Sequence, residues 1–329
     1  MTSSNGRRLK PQDDAGKSVK PGAKAYSKDQ KTAARQPNVG NVASKSGLPA
    51  SLYPAGLYIV ATPIGNLGDM TQRAIETLRG VNVIACEDTR VTGVLLQRFG
   101  IATPMTPYHD HNADRVRPQI IARLLAGEAV ALVSDAGTPL ISDPGYKLVR
   151  ACAEAGIAAI PLPGPSALLA ALAVAALPTD RVLFAGFLPS KSGARRDALM
   201  ALKALQATLV FYESPQRLAD SLADMTAVLG PRDAAVCREL TKLHEEVRRA
   251  SLADLAAAYA GEATPKGEVV VVVAGAPAAQ AATDDADIDQ SLCDAFKTMS
   301  VRDAAAAVAT ALNQPRRTVY ARALALAKK

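Results

Sequence analysis

Val130-Ala-Leu-Val-Ser-Asp-Ala-Gly-Thr-Pro-Leu-Ile-Ser-Asp-Pro-Gly145 reads as a buried strand that feeds an exposed, stiffened turn. Ala129–Val133 is short, continuous and apolar, the pattern of a parallel strand covered on both faces. The composition then flips. Ser134, Asp135, Gly137, Thr138 and Pro139 sit where the strand releases its carboxyl end, the edge at which open α/β sheets bind ligands. Gly137 lets backbone approach a ligand closely, and Pro139 fixes the turn. Taken alone, an ordinary strand-to-helix connection fits these residues equally well, so their neighbours must decide.

Upstream, residues 57–61 (LYIVA) predict a first strand, 81–86 a second and 105–108 a short third. Helices are predicted over 70–79, from about 90 to 99 and over 113–126, the first with Asp69 as N-cap and Gln72 as the partner of a capping box. Downstream, a helix over 146–155 leads to a strand over 157–162. Strands alternating with helices, with polar loops after the strands, predict a parallel α/β sheet over residues 55–163. Pro163-Gly-Pro-Ser166 then opens an apolar helix, proline being suited to a first turn. From there the spacing changes. Strands at 182–187, 208–212, 234–238, near 247 and at 268–274 are separated by fewer helices, which predicts an α+β domain with some antiparallel pairing over 164–277. Residues 188–196 read as a loop. An Ala/Asp-rich linker follows at 278–289. Residues 290–329 read as a small helical domain, with helices at 291–298, 301–312 and 318–327 and Ser300 and Asp303 forming a capping box. Their spacing suggests a helix-turn-helix-like unit.

Charge is unevenly placed. Of 38 Lys/Arg and 31 Asp/Glu, ten and three fall within residues 1–50, leaving 28 of each sign for the rest of the chain. The basic excess belongs to an N-terminal tail, 1–54, that is poor in apolar residues and is predicted to be disordered. Such an arm suits a polyanion such as RNA, or is simply a solvated leader. The N-terminus lacks the apolar core of a signal peptide. The longest apolar run, 167–177, is too short for a membrane span of roughly 20 residues. Cys86, Cys152, Cys237 and Cys293 are far apart and flanked by apolar residues, so buried, reduced thiols are expected, as in a cytoplasmic protein.

Several chemistries are excluded or weakened. No G-x-G-x-x-G follows the first strand and no Walker lysine motif occurs, which argues against dinucleotide and P-loop sites. No G-x-S-x-G elbow is present. His109-x-His111 has no third ligand at a recognisable spacing, so no metal site is assigned. What stands out is the number of polar, Gly/Pro-shaped loops after strands, at 63–69, 87–90, 108–112, 134–139 and 213–217. Five such loops predict a cleft.

Eight strings also carry a family resemblance: LYIVATPIGNLGDMTQRA, ACEDTR, YHDHN, LVSDAGTPLISDPGY, PLPGPSAL, GFLPSKSGARRDAL, FYESPQRL and RELTK. In this order they resemble the ribosomal small-subunit RNA (cytidine-2′-O-)-methyltransferases of the tetrapyrrole-methylase superfamily. The likeness runs from about Leu57 to Ala276, and residues 292–329 resemble that family's small C-terminal helical domain. The resemblance implies a two-domain tetrapyrrole-methylase-like fold, often homodimeric, with S-adenosylmethionine as methyl donor. It implies 16S rRNA or the small ribosomal subunit, in the decoding-centre region, as acceptor. Carried over by motif, the donor lies against Ser134, Asp135, Ala136, Gly137 and Thr138, with Ser166 and Ala167 at the helix start. Tyr212, Arg238 and Glu239 lie on the second-domain side. The loop with Pro63, Gly65 and Asn66 stands where tetrapyrrole enzymes carry Gly-Pro-Gly, which argues against a porphyrinoid substrate and turns this loop towards the acceptor.

A sulfonium donor needs no metal, and much of the rate can come from holding the methyl in line with the attacking oxygen. A ribose hydroxyl profits from a general base, for which Glu87, Asp88, His109 and His111 are candidates. Arg90, Lys191, Arg195 and Arg196 are candidate phosphate contacts. The loop carrying the last three is Gly/Ser-hinged and suited to closing on RNA. Two other functions fit the same residues: a methyltransferase of this fold acting on a tetrapyrrole or other small molecule, and a non-catalytic RNA-binding protein.

Overall fold

The computed structural model describes residues 52–277, 285–312 and 314–327. The predicted basic tail lies almost wholly outside the described residues. The chain runs β1 (Gly56–Val60), α1 (Gln72–Gly80), β2 (Val83–Cys86), α2 (Thr89–Arg98), β3 (Met105–Pro107), α3 (Ala113–Leu125), β4 (Ala129–Val133), α4 (Tyr146–Glu154) and β5 (Ala159–Leu162). It continues through α5 (Ala167–Ala175), β6 (Val182–Phe187), α6 (Ser192–Leu202), β7 (Thr208–Glu213), α7 (Leu218–Leu229), β8 (Asp233–Arg238), β9 (Glu246–Ser251), α8 (Leu252–Gly261) and β10 (Val269–Val273). Helices α9 (Asp285–Ala295), α10 (Val301–Ala311) and α11 (Arg316–Leu326) close the chain. Among the described residues no helix is long and apolar enough to cross a membrane.

The first sheet is wholly parallel, in the order β3-β2-β4-β1-β5. Its central strand β4 is continuously apolar because both faces are covered. Ala129, Ala131 and Val133 pack with Ala74 and Leu78 of α1 and Leu96 of α2. Val130 and Leu132 pack on the opposite face with Ile120 and Leu124 of α3 and Leu148 of α4. Burying each such side chain is worth roughly 1.5–3 kcal/mol.

The order also places the site. β4 inserts between β1 and β2, so the loops that leave β1 and β4 lie side by side at the carboxyl edge. They are joined there by a two-way backbone bridge between Thr62 and Gly137, with N···O distances of 2.9 and 3.0 Å.

The second sheet is mixed, in the order β6-β7-β10-β8-β9, with β6 and β7 parallel and the other three pairs antiparallel. The last strand in sequence, β10, fills its centre as five buried valines. Helix α5 covers one face through Ala171 and Ala175, and α7 the other through Leu218, Leu222 and Met225. Helices α9 to α11 enclose a small core of their own, including Leu292, Val308 and Val319.

Local expectations were met at Ser300, whose hydroxyl caps α10 by accepting from Asp303 N–H at 3.2 Å. Others need correction. The cap of α1 is Thr71, which accepts from Ala74 N–H, whereas Asp69 ends a separate 3-10 turn capped by Asn66. Residues 188–196 are not a continuous loop, because α6 starts at Ser192. The predicted linker at 278–289 is helical from Asp285, and its earlier part lies outside the described residues. Cys86, Cys152 and Cys237 are buried, and burial pushes each thiol up to about 11, but Cys293 is exposed.

Candidate active site

Because the first sheet is parallel, the loops after β1, β2, β3 and β4 all emerge at one edge. The turn after β4 is the wall between two cavities. Its base is rigid. Ser134 is buried, and its hydroxyl donates to Gly137 O at 3.1 Å, while the Thr62 hydroxyl donates to Ser134 O at 3.1 Å. The Thr138 hydroxyl donates to Pro165 O at 3.0 Å and so ties the turn to the start of α5. Gly137 adopts φ +82°, and a Cβ there would stand 3.3 Å from Ile64. Leu140 and Ser142 are also left-handed, so the chain is held in a tight coil up to Gly145.

The first cavity has a volume of about 360 Å³. Ala136, Gly137 and Thr138 form one side, and Ala167 at the start of α5 with Tyr212 and Val270 of the second sheet closes it. The Tyr212 ring packs edge-on against Phe184 and Phe187 at centroid distances of 4.8 and 5.6 Å, and Phe187 itself lines the cavity. Three carboxylates reach this wall. Glu213 is buried and bonded to Arg217 at 2.6 Å and to the Ser221 hydroxyl. Glu268 pairs with Lys242 at 3.0 Å. Asp143 has no cationic partner among the described residues. Burial pushes its carboxyl up to about 6; the Glu87 and Asp135 carboxylates add to the rise, and a hydrogen bond with Ser134 opposes it.

The second cavity, about 460 Å³, is polar. It gathers Glu87, Asp88 and Arg90 from β2 and α2, His109 and His111 from the loop after β3, and Asp135. Asp135 accepts from Asp88 N–H at 3.2 Å, which links two of these loops. Burial, then the Asp135 and Asp110 carboxylates, raise the Glu87 carboxyl, with His109 opposing. Hydrogen bonds from Arg90 hold Asp88 down to about 2. The buried Nδ1 of His109 has no hydrogen-bond partner. Among the described residues no group of His, Cys, Asp and Glu is arranged to hold a metal ion.

The structure thus divides the residues singled out in the sequence. The four candidate bases share one cavity. Ala136, Gly137, Thr138, Ala167 and Tyr212 share the other. Asp135 turns from the donor-side group into the polar cavity, because adjacent residues of the turn face opposite sides. Ser134 is a buried brace rather than a lining residue, and Ser166 precedes α5 without a side-chain cap bond. Arg238 turns away to Glu246, at 3.0 Å, and lines a separate surface hollow. Glu239 is committed to Lys242 at 2.8 Å.

Among the phosphate candidates, Arg195 is withdrawn from solvent. It is 3 % exposed and bound to Asp224 at 2.7 Å, as is the half-exposed Arg196. Burial pushes the Asp224 carboxyl up, but hydrogen bonds with Arg196, Ser192 and Arg195 outweigh that and hold it below the usual range. Lys191 is exposed at the start of α6, and Arg90 is exposed but paired with Asp88. Pro63 is buried, Gly65 is exposed, and Asn66 spends its side-chain oxygen on Gly68 N–H at 2.9 Å. Sequence reasoning missed Asp143, Phe187 and β10 as lining. Asp143 was the findable one, a carboxylate inside the opening stretch between Ile141 and Pro144.

The family model described as "Tetrapyrrole (Corrin/Porphyrin) Methylases" matches residues 56–256, and the model "RsmI C-terminal HTH domain" matches 282–327. A ribosomal RNA small subunit methyltransferase I of Mesorhizobium japonicum is 52 % identical over 280 residues, covering 85 % of this chain and 95 % of the relative. One of Escherichia coli O157:H7 is 55 % identical over 221 residues, covering 67 % and 77 %. The crystal structure of the methyltransferase CobJ matches with a TM-score of 0.51 at 19 % identity, covering 68 % of this chain and 95 % of that one, which speaks to the fold alone. With the fold, both matched segments and a relative matched over 95 % of its length in agreement, the chain belongs to the tetrapyrrole-methylase family and, within it, to the ribosomal RNA small subunit methyltransferases I.

Proposed function

We propose that the protein transfers a methyl group from S-adenosylmethionine to the ribose 2′-hydroxyl of a cytidine in the decoding-centre region of 16S rRNA. The observation that carries the reading is the pairing of unlike cavities across residues 134–138, one largely apolar and the other lined by acids and histidines. The apolar cavity fits the donor. The left-handed Gly137 leaves space that a Cβ would crowd, Ala167, Val270 and the Tyr212–Phe187 pair offer apolar surface to an adenosyl group, and Asp143 faces the space without a counter-cation. When bound, the donor supplies an electrophilic methyl on a sulfonium cation.

The chain's own part is to orient, to exclude water and to move a proton. The braced turn fixes the donor side. Glu87 receives the hydroxyl proton, since the rise in its pKa brings it towards the operating pH where a general base works best. His109 and His111 line the same space and hold the ribose edge by hydrogen bonds. Arg90 and Lys191 supply exposed positive charge for phosphates, which positions the RNA without reading its sequence. Arg195 is not part of this surface.

The homodimer is part of the same reading. Helix α5, the most apolar helix among the described residues, leaves Leu169 63 % exposed, and Val182 and Phe187 on the edge strand β6 are exposed as well. A second copy of this chain is the occupant, and sedimentation of the purified protein should give twice the chain mass. A cytoplasmic location agrees with four free thiols.

The deciding experiment incubates purified protein and labelled donor with small-subunit RNA or assembled subunits. A 2′-O-methyl group blocks alkaline cleavage at its own nucleotide. One protected cytidine is expected. Label on a base, or only on a tetrapyrrole, would overturn the reading.

A further inference from the structure

The loop 62–69 meets Lys242 in a way that neither cavity explains. A Cβ built on Gly65, at φ +140°, would stand 2.5 Å from Cγ and 2.8 Å from Cδ of Lys242. The aliphatic stem of Lys242 therefore lies directly on the Gly65 backbone, where only glycine leaves room. The ammonium group beyond that stem is held by two carboxylates, Glu239 Oε1 at 2.8 Å and Glu268 Oε2 at 3.0 Å. Glu239 Oε1 also accepts from Glu268 N–H at 3.0 Å, so the three residues form one closed unit at the end of β8 and the start of β10.

This unit is held at a backbone cost. Glu239 and Thr241 both adopt left-handed φ, +51° and +67°, and neither is glycine. Strain of this kind persists only where the surroundings over-determine it. Here it aims Lys242 back across the cleft. The loop it reaches is already fixed at its root by the bridge between Thr62 and Gly137, and beneath by Ile64, which is buried against Leu240, Cys237 and Val270 of the second sheet.

We infer that Lys242 is a positioning residue: a strap from the second sheet that lies across Gly65 and holds the acceptor-side loop against the donor cavity. The inference rests on the methyl-transfer reading for its catalytic consequence, but not for its structural one. With the strap in place, Gly65 and Asn66 present a fixed surface to the RNA while Ile64 closes the donor wall. Misplacing a substrate-positioning group by about 1 Å can cost on the order of a hundredfold in rate.

The test uses the full chain with Lys242→Ala, Lys242→Met and Lys242→Arg. Two quantities are read: amide hydrogen exchange over residues 64–68, and methylation kinetics with small-subunit substrate alongside donor affinity by calorimetry. The Ala variant should exchange faster over 64–68 and lose about ten- to a hundredfold in kcat/KM for the RNA, with donor affinity within about twofold of the parent. Met restores the stem but not the ion pairs and should fall between. Arg keeps a stem and a cation for both carboxylates and should recover most of the loss. Unchanged exchange over 64–68 in the Ala variant overturns the strap. So does a drop in donor affinity equal to the drop in turnover, which would make Lys242 a donor-site residue. If the parent protein methylates no ribosomal RNA, the functional reading fails, and the exchange measurement still decides the strap.

Discussion

The cavity of about 360 Å³ on one side of residues 134–138 and that of about 460 Å³ on the other share a wall but little chemistry. The first is shaped by glycine, alanine, valine and aromatic rings, and two of its three carboxylates are committed to cations outside it. The second is lined by five acidic or imidazole side chains from loops of three different strands, and its shape depends on long side chains rather than backbone. The difference teaches a division of labour. A wall of backbone and small residues gives a fixed mould, suited to a ligand that is the same in every turnover. Side chains with raised or lowered carboxyl pKa values give a place where protons can move. One turn serves both because its successive residues, Asp135 and Ala136, face opposite ways.

The largest effect expected lies outside both cavities. Asp224→Ala would leave Arg195 buried without its partner and should cost about 3–5 kcal/mol in urea unfolding. Should stability hold while RNA affinity falls, residues 191–196 belong to the acceptor side and the comparison must be redrawn. Next, Glu87→Gln should lower kcat about a hundredfold with donor affinity unchanged. Equal losses in both would mean that the two cavities are one.

Asp143 gives a smaller effect with a defined sign. Its carboxyl is raised to about 6, so below that pH it is neutral and offers a cation little. Donor affinity should therefore rise with pH from 5 to 7, by about tenfold, and Asp143→Asn should flatten that rise. Stability moves the other way. The folded state holds this proton more tightly than the unfolded one, so ionising Asp143 costs stability as pH climbs from its unfolded value through about 6. Asp143→Asn should remove that decline in thermal unfolding. The smallest effect is Lys191→Ala, which should weaken RNA binding evenly across sequences and lower the salt slope by about one, with donor affinity untouched.

The strands were readable because a doubly covered parallel strand is a continuous apolar run, as in β4, and because β10 is all valine. The polar loops were readable as a cleft because four of the five follow such a run, the exception being the one after the short edge strand β3. Helix α6 was not. Its buried face includes Arg195, which reads as a surface residue until its partner Asp224, 29 residues later, is brought against it. The split of residues 134–138 was also out of reach, since which way a side chain leaves a non-repetitive turn is set by its hydrogen bonds, here those of Ser134 and Thr62. The placing of β10 at the sheet centre, which puts Val270 on the wall of the apolar cavity, is decided by long-range pairing with β7 and β8. The strap from Lys242 to Gly65 is of the same kind.

The insertion of β4 between β1 and β2 also sets an order of events during synthesis. β1 is made first, yet its neighbours are β4 and β5, both of which emerge much later. β2 can begin to pair with β3, but the first strand has nothing to pair with until Ala129–Val133 exists. β4 is the strand that joins β1 to β2, and its carboxyl end brings the loops with Thr62 and Gly137 together. A nascent chain stopped short of β4 therefore carries neither cavity, since both are lined by the turn that follows it.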